Sequence, residues 1–468
     1  MARRERWVLV STLALLQAAT IATGVYAVRT DFSLAALSKQ EPRPTKQPVA
    51  RPSVPLVTAG PVLATGGDGP LPPKGTLTRQ LTDALGDKAL GSRVGAVVLD
   101  AATGQRVFAD NPDTGLTPAS TTKIVTGAVA LAALGPDARL STRVVQGRTK
   151  GSVVLVGGGD PMLAGPYAKQ TTYPRPASMA TLAARTAAKL KEQGVTRVTL
   201  GYDSTLYTGP SSGPGWKPSY IPDGHVAPVH ALAMDEGRRH PARNQPRVSD
   251  PPQVAATAFA KLLARYGIGV ANKTVRPAKA EAGAPELGRV DSPPVYALVE
   301  HALTYSDNDL SEALARQVAI KEGQPASFDG AAKATKQVLE RLGAAQGVSV
   351  FDGSGLSTRN RISAGALAKL VAVAGAPNRP ELHSVASGMP VAGFSGTLGN
   401  GRRFTARDSK GEVGLVRAKT GTLNNVNTLA GFATDAQGRL LTFAFMADKV
   451  PVNAEPVLDR LAAIVARS

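Results

Sequence analysis

Three short stretches of this chain carry side chains that could do chemistry together. Pro118–Lys123 reads PASTTK and places the hydroxyl of Ser120 three residues before the amine of Lys123. At that spacing on a helix both side chains share one face, about a turn apart. Serine is a weak nucleophile and needs a base beside it. A buried lysine loses proton affinity, and its neutral amine can serve as that base near neutral pH. Pro118 and Ser120 also read as a helix start, where the positive helix end favours an ionised hydroxyl. Alone, a Ser-x-x-Lys fits equally well a helix N-cap followed by a solvated lysine.

Two further stretches change the balance. Tyr305–Arg316 reads YSDNDLSEALAR, with Ser306 and Asn308 at the mouth of a helix and able to face one cavity. By itself this fits an N-cap cluster. Arg417–Val426 reads RAKTGTLNNV, so Lys419, Thr420, Gly421 and Thr422 close a strand, with Gly421 removing bulk beside a cleft. By itself it fits an edge strand leading into a turn.

The elements that must position these groups follow from periodicity. Leu77–Leu85 has helical spacing. VGAVVLD and GQRVFAD are two strands joined by turn residues at Asp100–Gly104. Ile124–Leu134 is an uncharged helix and so should be buried. From Ser141 short Val-rich strands alternate with a helix at Ala177–Glu192, and Pro- and Gly-rich loops follow. Helical patterns return at Val295–Ala302, Asp309–Lys321 and Ala331–Leu342. VGLVRAKT, NTLAGFAT and LLTFAFMA are strands, and a last helix covers roughly Asn453–Ala466. Strands at both ends with helices between them predict an α/β (α+β) fold. Sequence-distant strands would pair into one antiparallel sheet covered by helices on both faces. The expected organisation is a catalytic domain over 76–140 and 285–468, interrupted by a smaller inserted α/β domain over 141–284.

The N-terminus sets the compartment. Arg3, Arg4 and Arg6 precede an uncharged stretch from Trp7 to Val28, long enough to span a bilayer. The arginines should remain cytoplasmic, which exports the remainder. An uncleaved membrane anchor within residues 1–40 is the expectation. A cleaved signal is its rival, since Val25-Tyr26-Ala27 resembles a cleavage site. Nine prolines between Glu41 and Gly75 make residues 41–75 a semi-extended linker.

Composition removes other classes. There is no cysteine, so disulfides and thiolate chemistry are excluded. The net charge of +19 is spread rather than gathered into a Lys/Arg stripe interleaved with aromatics, so no nucleic-acid partner is expected. VVLVGGGDPM lacks the third glycine of a dinucleotide loop, because position 162 is methionine. GFSGT carries Thr397 where a nucleophile elbow needs glycine. The five histidines form no HExxH.

SxxK, then S-x-N, then K-T-G, in that order, is the signature of penicillin-binding proteins and serine β-lactamases. The chain resembles the D-alanyl-D-alanine carboxypeptidase/endopeptidase type, the class C low-molecular-mass penicillin-binding proteins. VGGGDPML, PGWKPSY, APVHALAMD, FDGSGLS and SGMPVAGFSGTLGN add to the likeness, which runs from about Leu77 to Ala463. The resemblance implies a serine peptidase of peptidoglycan stem peptides that β-lactam antibiotics acylate, with no metal or organic cofactor. It implies Ser120 as nucleophile, Lys123 as base and Ser306 as proton relay to the leaving amine. Asn308 would hold the peptide and place Lys123, and Lys419 would supply positive charge. Thr420 and Thr422 would bind the substrate's terminal carboxylate, beside Gly421. Asp160 would face the substrate's side chain, although a turn aspartate explains it as well. Ser120 and Ser306 are 186 positions apart, so the insert is compact for such enzymes. A β-lactamase or esterase on the same scaffold, or a non-catalytic wall-binding protein, stays open at this point.

Overall fold

The computed structural model describes residues 70–168, 173–240, 246–399 and 401–468. The expected anchor and nearly all of the proline-rich linker lie outside these residues. Among the described residues, no helix is long and apolar enough to cross a membrane.

The strands, in chain order, are β1 Arg93–Asp100, β2 Arg106–Asp110, β3 Ser141–Gln146, β4 Ser152–Val156, β5 Arg197–Asp203, β6 Gly269–Val270, β7 Arg276–Pro277, β8 Glu286–Asp291, β9 Val348–Ser349, β10 Arg361–Ile362, β11 Val416–Leu423, β12 Val426–Thr434 and β13 Leu440–Asp448. The helices used below are α1 Lys74–Leu85, α2 Thr122–Leu134, α3 Met179–Glu192, α4 Pro251–Arg265, α5 Val295–Thr304, α6 Asn308–Lys321, α7 Phe328–Arg341, α8 Ala364–Gly375, α9 His383–Gly388 and α10 Glu455–Arg467.

One sheet has the order β11-β12-β13-β1-β2 and is antiparallel throughout. It joins strands from both ends of the chain, with Val97 opposite Ala444 and Leu99 opposite Thr442. The strict alternation of its side chains divides the core in two. Val97, Leu99, Ala430, Phe432, Ala444 and Met446 face a cluster that includes residues of α2, α5, α6, α7 and α8. Ala96, Val98, Leu429, Phe443 and Phe445 face the opposite way, against Leu77 and Leu81 of α1 and Leu458, Leu461 and Val465 of α10. The sheet is therefore wet on neither face, which is why β12 and β13 read as almost unbroken apolar runs.

A second sheet runs β6-β5-β4-β3-β8, with β7 also beside β5. Its β4–β5 pairing is parallel. α3 and α4 pack on it through Leu182, Leu190, Phe259 and Leu263. Ser141 pairs with Asp291, so the chain leaves and re-enters this sheet side by side. The sheet continues beyond Ala284, because β8 closes it.

The three glycines before Asp160 turn out to be a packing device. A Cβ at Gly158 would collide with the Ser141 carbonyl, and one at Gly159 with Tyr207 Oη and Gln317 Nε2 of α6. Bare backbone lets this segment press against α6, and Asp160 is drawn inside with it. Its side chain is 2 % exposed, Oδ1 accepts from Met162 N at 2.9 Å, and Oδ2 has no hydrogen-bond partner. Asp160 therefore does not face an open groove, contrary to the expectation from sequence. Desolvation pushes its carboxyl up to about 7, against the pull of the Met162 bond. Because the folded state holds this proton more tightly than the unfolded chain, the stability it brings is lost between pH ~4 and ~7. Asp160→Asn should remove that slope, leaving the variant more stable than the parent at pH 7 by up to about 4 kcal/mol, read by urea unfolding at both pH values.

Candidate active site

Ser120 sits in a tight turn, Ala119–Thr121, that leads directly into α2. Ala119 has a φ of 49°, a left-handed conformation costly for a residue with a Cβ. The turn is held by its neighbours. Thr121 Oγ1 and Thr428 Oγ1 both donate to the Pro118 carbonyl, at 2.6 and 2.8 Å. Strand β11 lies against the turn because residue 421 is glycine. A Cβ there would meet Thr428 Oγ1, would lie 2.7 Å from the Pro118 oxygen, and would come within 3.1 Å of Ser120 N.

Lys123 is 1 % exposed, among the uncharged residues of α2. Its Nζ lies 3.0 Å from Ser120 Oγ, 2.7 Å from Asn308 Oδ1 and 2.6 Å from the Ser354 carbonyl. The carboxamide oxygen and the carbonyl can only accept. A neutral amine has two N–H groups and one lone pair. With both N–H groups directed to those oxygens, the lone pair is left facing the serine hydroxyl. Burial pulls the ammonium down to about 8, against the negative fields of Asp352, Asp307, Glu312 and Asp309.

Each partner of Lys123 is itself fixed. Asn308 Nδ2 donates to the His225 carbonyl at 2.8 Å, which turns Oδ1 toward the lysine. The Ser354 loop hangs on two buried carboxylates. Glu312 accepts from Ser354 N at 2.8 Å and Gly353 N at 3.1 Å. Asp352 accepts from Gly355 N, Ser357 N, Trp216 Nε1 and Asn360 Nδ2 at 3.0, 2.6, 2.8 and 2.7 Å.

Lys419 is fully buried, with Nζ 3.0 Å from Ser306 Oγ and 2.8 Å from the Thr420 carbonyl. Its ammonium is held well below the ordinary lysine range, first by burial and then by the charges of Lys123 and Arg403. Ser306 takes a φ of 58° just before α6, whose N-cap Asp307 accepts from Leu310 N at 2.9 Å. The two lysine–serine pairs thus form one site, since Ser306 and Asn308 are two residues apart and each holds a different lysine. Thr420 Oγ1 is 2.8 Å from Thr397 Oγ1. Thr422 is exposed at the end of β11, and its hydroxyl donates to Glu455 Oε1 at 2.9 Å.

Of the residues singled out in the sequence, Ser120, Lys123, Ser306, Asn308 and Lys419 come together, with Thr420 and Gly421 beside them. Thr422 stands at the rim, and Asp160 lies buried elsewhere. Sequence reasoning missed the Ser354 and His225 carbonyls, Asp352, Glu312 and Thr397. Glu312 was within reach, because it follows Asn308 by four residues on one helix face. Backbone carbonyls leave no mark on residue type.

The second sheet's segment contributes a buried clasp. Arg247 pairs with Asp309 at 3.0 Å and donates to the carbonyls of Gly224 at 3.1 Å and Glu236 at 2.6 Å. Asp309 Oδ1 accepts from Ala227 N at 2.7 Å. The clasp holds residues 224–227 on the mouth of α6, and with them the carbonyl that orients Asn308. Both side chains are nearly inaccessible, so removing the guanidinium takes away the cation that offsets the burial of Asp309. Arg247→Met should cost about 3–5 kcal/mol in chemical unfolding, and adding Asp309→Asn should return part of it.

Comparison with known proteins identifies the family of the chain. The profile of the D-Ala-D-Ala carboxypeptidase 3 (S13) family matches residues 77–246 and 239–467. A carboxypeptidase of Mycobacterium tuberculosis is 37% identical over 424 residues, covering 89% of this chain and 89% of its own length. Carboxypeptidase DacB of Mycolicibacterium smegmatis is 35% identical over 88% of this chain and 89% of its own. Among solved structures, penicillin binding protein 4 of Haemophilus influenzae superposes with a TM-score of 0.65 at 22% identity, over 84% of this chain and 98% of that one. Nearly all of the described body is thus matched, and the chain belongs to the D-Ala-D-Ala carboxypeptidase 3 (S13) family.

Proposed function

We propose that this protein is a serine-type D-Ala-D-Ala carboxypeptidase and endopeptidase acting on peptidoglycan stem peptides, and that Ser120 carries the acyl group. The observation that carries this reading is the position of Lys123 Nζ, 3.0 Å from Ser120 Oγ and 2.7 and 2.6 Å from two acceptor oxygens, which leaves the lone pair of the neutral amine for the serine hydroxyl. Ser120 Oγ attacks the carbonyl between two D-alanines while its proton passes to Lys123 Nζ. The new O–C bond forms, and the carbonyl oxygen gathers charge between the N–H groups of Ser120 and Thr422. Donors aimed at that oxygen are commonly worth several kcal/mol. The C–N bond then breaks, and Ser306 Oγ–H, held by Lys419, hands its proton to the departing amine. The proton that Lys123 took from Ser120 refills the Ser306 hydroxyl, so the net transfer is from Ser120 to the amine. Water cleaves the ester and restores the serine.

The substrate's terminal carboxylate is drawn toward Lys419 and the hydroxyls of Thr420 and Thr422. Asn308 holds the peptide backbone. β-Lactams present the same amide and carboxylate, so they acylate Ser120 and remain. One structure of the Haemophilus influenzae protein is a complex with a β-lactam. Glu312, the carboxylate one helical turn beyond Asn308, is fully buried on backbone N–H groups, which disfavours rapid hydrolysis of that adduct by a β-lactamase route. The substrate places the enzyme outside the cytoplasmic membrane, and the Trp7–Val28 segment would export or tether it there.

Incubating the full chain with penicillin should add one mass equivalent on Ser120, lost in Ser120→Ala. Incubation with a pentapeptide muropeptide should release D-alanine. No adduct and no release would overturn the reading. The base must be neutral to act, so the acylation efficiency should climb as pH rises through about 8. Lys123→Arg, which cannot lose its proton, should slow acylation about 10²–10⁴-fold above pH ~8 and abolish the rise through that pH.

A further inference from the structure

Helix α10 does more than cover the sheet. Its first residue, Glu455, reaches the rim of the groove and takes the hydrogen of Thr422 Oγ1. Behind it lies Arg403, whose Nη1 is 3.8 Å from Glu455 Oε1. That guanidinium is already committed, since its Nε is 3.0 Å from both carboxylate oxygens of Asp459. One buried cation therefore serves two carboxylates, and only Glu455 has appreciable solvent access, at 28 % against 5 % for Arg403.

We propose that Glu455 sets how strongly this groove takes a ligand's terminal carboxylate. The inference rests on the reading that the Thr422 hydroxyl receives that carboxylate. A hydroxyl has one hydrogen to give. While it donates to Glu455, it cannot donate to the ligand. An arriving carboxylate also meets a like charge across the same hydroxyl. Binding requires Thr422 to turn from one carboxylate to the other, leaving Glu455 with Arg403 as its remaining partner. Glu455 acts as an internal competitor at the rim, and its effect falls on ligands that end in a free carboxylate. Ligands without one meet neither the competition nor the repulsion.

The test compares benzylpenicillin with its methyl ester, which differ only in that group. Acylation efficiency of Ser120 is measured for both on the full chain by intact-mass spectrometry. Glu455→Gln keeps an acceptor for Thr422 and removes the charge. It should raise the acid-to-ester ratio about tenfold, the scale of a contact-range repulsion partly shielded by solvent and Arg403. Glu455→Asp keeps the charge of the helix's first turn but withdraws it by one methylene, and should raise the ratio less. A ratio equal to the parent's in both variants overturns the proposal. A change of equal size for acid and ester, which leaves the ratio fixed, overturns it too and assigns Glu455 a role in packing alone. If neither compound marks Ser120 in the parent chain, the peptidase reading falls, and this inference falls with it.

Discussion

The structure depends on a lysine amine kept out of water with its two hydrogens already assigned. Lys123 emerges from a helix with no other charge, which supplies the desolvation. Asn308 and the Ser354 carbonyl then decide the direction of its remaining lone pair. Neither condition suffices alone. A desolvated amine free to rotate would spend little time aimed at Ser120, and an aimed amine in water would stay protonated. Four buried carboxylates keep the shift moderate, so the amine titrates near 8 rather than being locked neutral. A general base performs best when its proton affinity lies near the working pH.

That constraint explains much of the surrounding architecture. The Ser354 carbonyl must be presented with its backbone under control, and Asp352 and Glu312 fix the loop through its N–H groups. Asn308 must show its oxygen rather than its nitrogen, and the His225 carbonyl enforces this. His225 comes from the segment carrying the second sheet, so that segment is part of the site's support and not only an addition to it. The Arg247–Asp309 pair keeps it seated. The backbone is left-handed at Ala119, beside one reactive hydroxyl, and at Ser306, which carries the other. Such strain persists only where the surroundings over-determine it, as the hydrogen bonds to Pro118 do.

The opposite side of the groove follows a related rule with a different outcome. Lys419 is also buried, but its neighbours are Lys123 and Arg403, so its charge is opposed more strongly. The two amines differ in what they hold. Lys123 faces the nucleophile, while Lys419 faces Ser306 and the strand carrying the threonines. At the far end of that strand the charge changes sign, with Glu455 seated on Thr422. The strand that carries a buried amine at one end thus meets a carboxylate at the other.

Much of this was legible in the residues. PASTTK, SDN and KTGT brought forward the hydroxyls, both amines and the carboxamide that the fold draws together. Helical patterns lying between strands at both ends of the chain foretold a sheet covered on both faces, and the uncharged run of α2 foretold a buried helix. Local patterns suffice there because helix and strand periodicity are properties of neighbouring residues. What only the folded chain decided were the contacts between distant ones. Lys123 meets partners 185 and 231 positions away, one of them a backbone carbonyl that any residue could have supplied. Asp160 looked like a groove residue and is buried instead, because the glycines before it admit close packing against α6 rather than a loop open to ligand. Thr422 and Glu455 lie 33 positions apart on different elements, and no spacing rule links them. Residue type determined which chemistry was available to this protein, and tertiary packing determined which atoms face one another, since hydrogen-bond direction and desolvation exist only once the chain has closed around them.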